Sequence, residues 1–188
     1  MDKEKRMIDV YEVRTSVWFG GREYILAEDK TCNSEMPYMT CVGTRNDILV
    51  SYSDVLISDD YVELFQVFAD RLSEQAKQFM AERAKTGVST ALFTTADCVA
   101  GGLEFDIEGK VIILKPSALS PEYRTAINQL QIATSGFGCN PKSSGRAVYC
   151  TNLYTGAKYR YNRHDVAGVA DISRLPEWAR KKIKDIES

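Results

Sequence analysis

The sequence is poor in the residues that most catalytic chemistry needs. One histidine, His164, stands in 188 residues. Any scheme that uses imidazole as a base rests on it alone, and no GxSxG elbow accompanies it. The cysteines are five: Cys32, Cys41, Cys98, Cys139 and Cys150. Their odd number, wide spacing and lack of a CxxC pair argue against a disulfide framework and a zinc ribbon. They read as reduced thiols, and neither a metal nor another cofactor is expected. No run approaches the ~20 apolar residues of a membrane-spanning helix. The opening MDKEKRMIDV has charge but no apolar stretch of the kind a signal peptide carries. The expected location is therefore the cytoplasm, with no membrane partner. Internal repeats, low-complexity tracts and long Pro/Gly/Ser linkers are also missing, so a single domain over residues 1–188 is expected.

What the chain does have is a polarised charge. Residues 1–109 hold 11 Lys/Arg and 20 Asp/Glu, a net −9, whereas residues 110–188 hold 13 and 6, a net +7. A basic half suits phosphate binding; an acidic half repels nucleic acid or contacts a basic protein.

The pattern of apolar residues predicts a mixed architecture. Residues 8–27 read as a β-hairpin turning at Gly20-Gly21. Residues 28–37 read as a loop, and 38–42 and 48–52 as short strands. Spacing of three and four in Leu64, Phe65, Phe68, Leu72 and Phe79 predicts a helix from about Asp60 to Lys85, capped by Ser58 or Asp59. Residues 94–98 fit one helical turn, Gly101-Gly102 a break, and Val111–Leu114 a central strand. Ser120-Pro121-Glu122 carries the signature of a helix start, predicting a helix to about Thr134. Strands over 146–150 and 157–161, joined at Thr155-Gly156, and a final helix from Glu177 to Glu187 complete the chain. The fold class is α+β: a mostly antiparallel sheet packed against one long and one shorter helix.

Three segments bear on function. The glycine-rich stretch 135–145 invites comparison with a phosphate-binding loop. Gly136 and Gly138 are too close for the Walker pattern, Lys142 precedes Gly145, and the loop leads into a strand rather than a helix. It reads as a surface loop, of a length that leaves a binding role open. His164-Asp165 resembles half of an acid–base pair, although a surface or turn histidine accounts for it better. The composition most suggestive of binding is KYRYNRH, residues 158–164. On a strand, Lys158 and Arg160 share one face, while Tyr159, Tyr161 and Arg163 share the other. With Lys142 and Arg146 nearby, these residues predict a positive surface for phosphates, with a tyrosine at its rim to stack on a base. A plain hairpin with core tyrosines and a solvated basic face is the alternative.

Six blocks carry a resemblance: VYEVRTSVWFGGREYILAED, TTADCVAG, LKPSALSPEYRTAINQL, ATSGFGCNPKSSGRAVYC, NLYTGAKYRYNRHDVAGV and LPEWARKKI. In this order the chain resembles a protein family, without established chemistry, common in conjugative and phage-like elements of gut Firmicutes. Related domains occur in large polyvalent proteins thought to shield an incoming element from host defences. The resemblance implies counter-defence, with a Cas9-type nuclease as the suspected partner. It would make the chain a type II anti-CRISPR, a non-enzymatic inhibitor that binds the nuclease, its nucleic acid, or both. It transfers no catalytic or binding residue. The alternatives are a nucleic-acid-binding accessory factor of conjugative transfer or replication and, less favoured, a cysteine-dependent enzyme.

Overall fold

The structure is a computed structural model that describes residues 6–31, 34–45, 49–99 and 104–187. Cys32, Asn33, Ile48 and Gly101-Gly102 lie outside the described residues. The chain forms two compact units, residues 1–85 and 86–188. Instead of the one sheet expected from sequence, each unit has its own five-stranded antiparallel sheet among the described residues. No described helix is long and apolar enough to cross a membrane.

In the first unit, β1 (Met7–Ile8), β2 (Tyr11–Phe19), β3 (Arg22–Glu28), β4 (Tyr38–Arg45) and β5 (Val50–Ser58) pair in chain order, followed by α1 (Tyr61–Thr86). The β2–β3 turn uses Gly20 and Gly21 with φ of 65° and 75°, the left-handed values a two-residue hairpin demands. A Cβ on Gly20 would also meet the Phe79 ring at 2.6 Å. Central β3 buries both of its faces. Tyr24 and Leu26 pack with Leu64 and Phe68 of α1, while Ile25 and Ala27 pack with Tyr11, Met39 and Cys41. The expected helical stripe is narrower than its spacing implies. Leu64 and Phe68 are buried and Leu72 and Phe79 half-buried, but Phe65 is exposed. The cap is Asp60 rather than Ser58 or Asp59: its Oδ1 accepts hydrogen bonds from the N–H groups of Val62 (2.8 Å) and Glu63 (3.1 Å).

In the second unit, β6 (Val111–Leu114), β7 (Leu130–Ser135), β8 (Ala147–Asn152), β9 (Lys158–Asn162) and β10 (Val166–Val169) assemble in the order β10-β6-β7-β8-β9. One face buries Ile112, Leu114, Ala133, Val148 and Cys150. The other packs Val111, Ile113 and Leu130 with Trp178, Ala179 and Ile183 of α3 (Glu177–Glu187).

The helix expected from 120 to 134 does not form. Its start signature makes only a 3-10 turn, Pro121–Tyr123, and α2 (Ala126–Gln129) adds a single α-turn. The chain then enters the sheet as β7, where Leu130 and Ala133 are fully buried between β6 and β8. Sheet pairing and burial here override a local capping signal.

The division into units also redistributes charge. Asp97, Glu104, Asp106 and Glu108, all in the acidic half by sequence, belong to the second unit. The units carry net charges of −5 and +3, a weaker contrast than −9 and +7.

Candidate nucleic-acid interface

The β8–β9 hairpin is held at its turn by one buried side chain. Asn152 Oδ1 accepts hydrogen bonds from the N–H groups of Tyr154 (3.0 Å) and Thr155 (2.9 Å), and its Nδ2 donates to the Ile127 carbonyl (2.9 Å). This fixes the register: Thr151 opposes Lys158, Tyr149 opposes Arg160, and Val148 opposes Tyr161. Strand alternation then places Lys158, Arg160 and Tyr149 on one face and Tyr159, Tyr161 and Val148 on the other.

The glycine-rich loop closes one side of this surface. Cys139 turns into the core, and its carbonyl accepts from the Ile107 N–H at 3.0 Å. The loop lies so close to β8 that a Cβ on Gly138 would meet the Arg146 carbonyl oxygen at 2.5 Å. One on Gly136 would meet the Ala147 carbonyl oxygen at 2.5 Å. These glycines permit backbone packing, and only a 3-10 turn, Phe137–Cys139, begins after Gly136. Phe137, anchored between them, is 80% exposed.

The result is a groove of about 700 Å³ lined by Phe137, Asn140, Arg146, Tyr149 and Arg160, and also by Glu108. Tyr149 is 50% exposed. Among the described residues, Lys142, Arg146, Lys158 and Arg160 are exposed and make no ion pair. Two cations and two open aromatic rings in one groove can contact phosphates and stack on bases together.

The residues singled out in the sequence divide into four groups. Arg146 and Arg160 converge on the groove, and Lys158 extends the same sheet face. Lys142 is exposed at a backbone φ of 58° but does not line the groove. Tyr159 and Tyr161 face the opposite side. Arg163 is a correction: it is 1% exposed and takes no part in a positive surface. The chain leaves β9 at Asn162 for a 3-10 turn, Arg163–Asp165, closed by a hydrogen bond from the Asn162 N–H to Asp165 (2.8 Å). The Arg163 guanidinium is thereby carried inside, where Nη2 donates to the Phe105 carbonyl at 2.8 Å. Its Nε and Nη1 have no partner among the described residues, and burial lowers its pKa.

Phe137, Asn140, Tyr149 and Glu108 are groove residues that the sequence reading missed. A phenylalanine between two glycines, SGFGC, was an available signal: it has little local chain to bury it. Tyr149 sits between core residues Val148 and Cys150, so strand alternation sends it outward.

A second groove of about 760 Å³ runs beside α3, lined by Lys110, Arg180, Lys181 and Lys184 with Glu177. It has no aromatic lining. His164 is exposed, with Nε2 3.3 Å from Asp165. Burial pushes the thiols of Cys41, Cys98, Cys139 and Cys150 above their ordinary pKa, Cys150 to about 12, the opposite of an activated thiolate. No group of three or more metal-ligating side chains occurs among the described residues. The chain matches no family model, no curated protein and no solved structure.

Proposed function

We propose that the protein binds nucleic acid through the Arg146–Arg160 groove and that it serves counter-defence for a mobile element. The observation that carries the binding is the convergence of two unpaired arginines on a groove that also holds exposed Phe137 and Tyr149. Such a surface suits single strands: cations neutralise the backbone, and rings stack on bases without reading their identity.

The counter-defence role rests on the family resemblance, and a Cas9-type nuclease is the target it suggests. Such enzymes hold guide and target strands in a positively charged channel. The net −5 of the first unit has the sign such a channel attracts. Inhibition would be non-enzymatic, by occupying the channel, its nucleic acid, or both.

The test is co-expression with Cas9 and guide RNA, followed by co-purification and a cleavage assay. A stable complex with cleavage lost supports the inhibitor. Binding to single-stranded DNA with cleavage intact instead identifies an accessory factor of transfer or replication that uses the same groove.

A further inference from the structure

The face of β9 opposite the groove carries a second site. Tyr159 and Tyr161 project there with ring centroids 6.0 Å apart. They line a pocket of about 280 Å³ with Tyr123, Ser120, Asn128 and Gln131. This is at the small end for ligand pockets and is the scale of one planar heterocycle.

Gln131, one of the lining residues, has an unmet hydrogen-bonding demand. Gln131 is 1% exposed, and its Nε2 donates to the Asn128 carbonyl at 2.8 Å. That bond orients the amide and leaves Oε1 as an acceptor. Oε1 is buried and has no donor among the described residues. A buried polar atom in this state is costly, and a ligand that brings an N–H into the pocket relieves the cost. Tyr159, 45% exposed, offers a ring face at the pocket mouth.

We propose that this pocket binds one unpaired nucleobase, whose N–H donates to Gln131 Oε1 while its ring stacks on Tyr159 and Tyr161. Every standard base has both a π-face and an N–H at its pairing edge, so the two demands of the pocket are met by one molecule. The place in the fold favours a base still attached to a strand. β9 is an edge of its sheet, with Lys158 and Arg160 on one face and the two tyrosines on the other. A strand rounding this edge meets cations for its phosphates and then the pocket for one base. In that form the inference rests on the groove reading above, whereas capture of a free nucleoside does not.

The experiment measures binding of short single-stranded DNA oligonucleotides, the same oligonucleotides made abasic, and the free nucleosides by calorimetry. The proteins are wild type, Gln131→Met and Tyr159→Ala. Methionine keeps the volume of Gln131 and removes the unmet acceptor, and Tyr159 is exposed enough for its truncation to leave the fold intact; circular dichroism checks both. The proposal expects tighter binding of DNA with bases than of abasic DNA, and a loss of at least about fivefold in either variant. The variants should leave abasic binding unchanged. Nucleosides that bind wild type but not Gln131→Met, with no oligonucleotide binding, keep the pocket and remove the groove reading. Salt-dependent oligonucleotide binding that ignores both variants overturns the pocket, makes Oε1 the partner of an ordered water, and leaves the groove standing. No binding by either class of ligand overturns both.

Discussion

Arg160 on β9 stands directly across the ladder from Tyr149 on β8, and both side chains open into the groove that Arg146 also lines. A cation and an aromatic ring are thus held by backbone pairing rather than by a mobile loop. Each ring has a separable effect. Replacing Phe137 or Tyr149 with alanine should weaken single-stranded DNA binding by about 1–3 kcal/mol, while the salt dependence stays as in wild type, because stacking releases no counterion. Filter binding at several salt concentrations measures both quantities.

The groove depends on the loop that walls it. Gly138→Ala places a methyl against the Arg146 carbonyl oxygen at 2.5 Å and Val148 Cγ2 at 2.6 Å. Overpacking of this kind should destabilise the protein by about 1–3 kcal/mol. Gly145→Ala is the matched contrast, since a Cβ there meets nothing within 4 Å but the backbone sits at φ 79°. Its cost should be only the roughly 1–2 kcal/mol of left-handed backbone. Denaturant melts of the two variants give the comparison, and Gly138→Ala should also weaken DNA binding.

Arg163 is a cation placed inside without a carboxylate partner among the described residues. Replacing such a residue with an apolar one of similar length is often neutral or stabilising. Arg163→Met should therefore melt at the same temperature as wild type or higher, with unchanged DNA affinity. A fall in affinity with an intact fold would restore Arg163 to the binding surface.

Arg163 also marks where sequence reasoning stopped. Strand parity placed it opposite Arg160, which is correct for an extended chain, but the chain turns after Asn162 and carries the side chain inward. The elements whose evidence is local were legible: the Gly20-Gly21 hairpin and the spans of α1 and α3. β7 was not, because Ser120-Pro121-Glu122 is a true local signal that pairing with β6 and β8 overrides. The groove was half legible. Arg146 and Arg160 were visible as cations near one another in sequence. Phe137 and Tyr149 became site residues only once the loop was packed on β8 and the register was set.

The first unit carries a pH-sensitive pair. Glu23 is 2% exposed and accepts two hydrogen bonds from Arg6, at 2.6 and 2.8 Å. Burial alone would raise its pKa, but the hydrogen bonds of Arg6 and Ser16 outweigh it and hold the carboxyl below its ordinary value. A lowered folded pKa means that the stabilisation is complete above the unfolded value and is lost as pH falls through the folded one. Acid unfolding should therefore shift to a higher pH midpoint in Arg6→Ala. Glu23→Gln should lose stability at neutral pH and show a shallower decline in acid. Thermal melts from neutral pH down into the carboxylate range test both.

The most direct measurement of the central claim is the affinity for single-stranded DNA as a function of salt, in wild type and in the Arg146→Ala/Arg160→Ala double variant. Wild type should lose affinity steeply as salt rises. The double variant should bind more weakly to all sequences alike, with a slope flatter by about one unit for each phosphate contact removed. Circular dichroism should report the same fold for both proteins. Equal slopes and equal affinities in the two, or no binding by wild type at low salt, would contradict the account and leave the β8–β9 hairpin as scaffold.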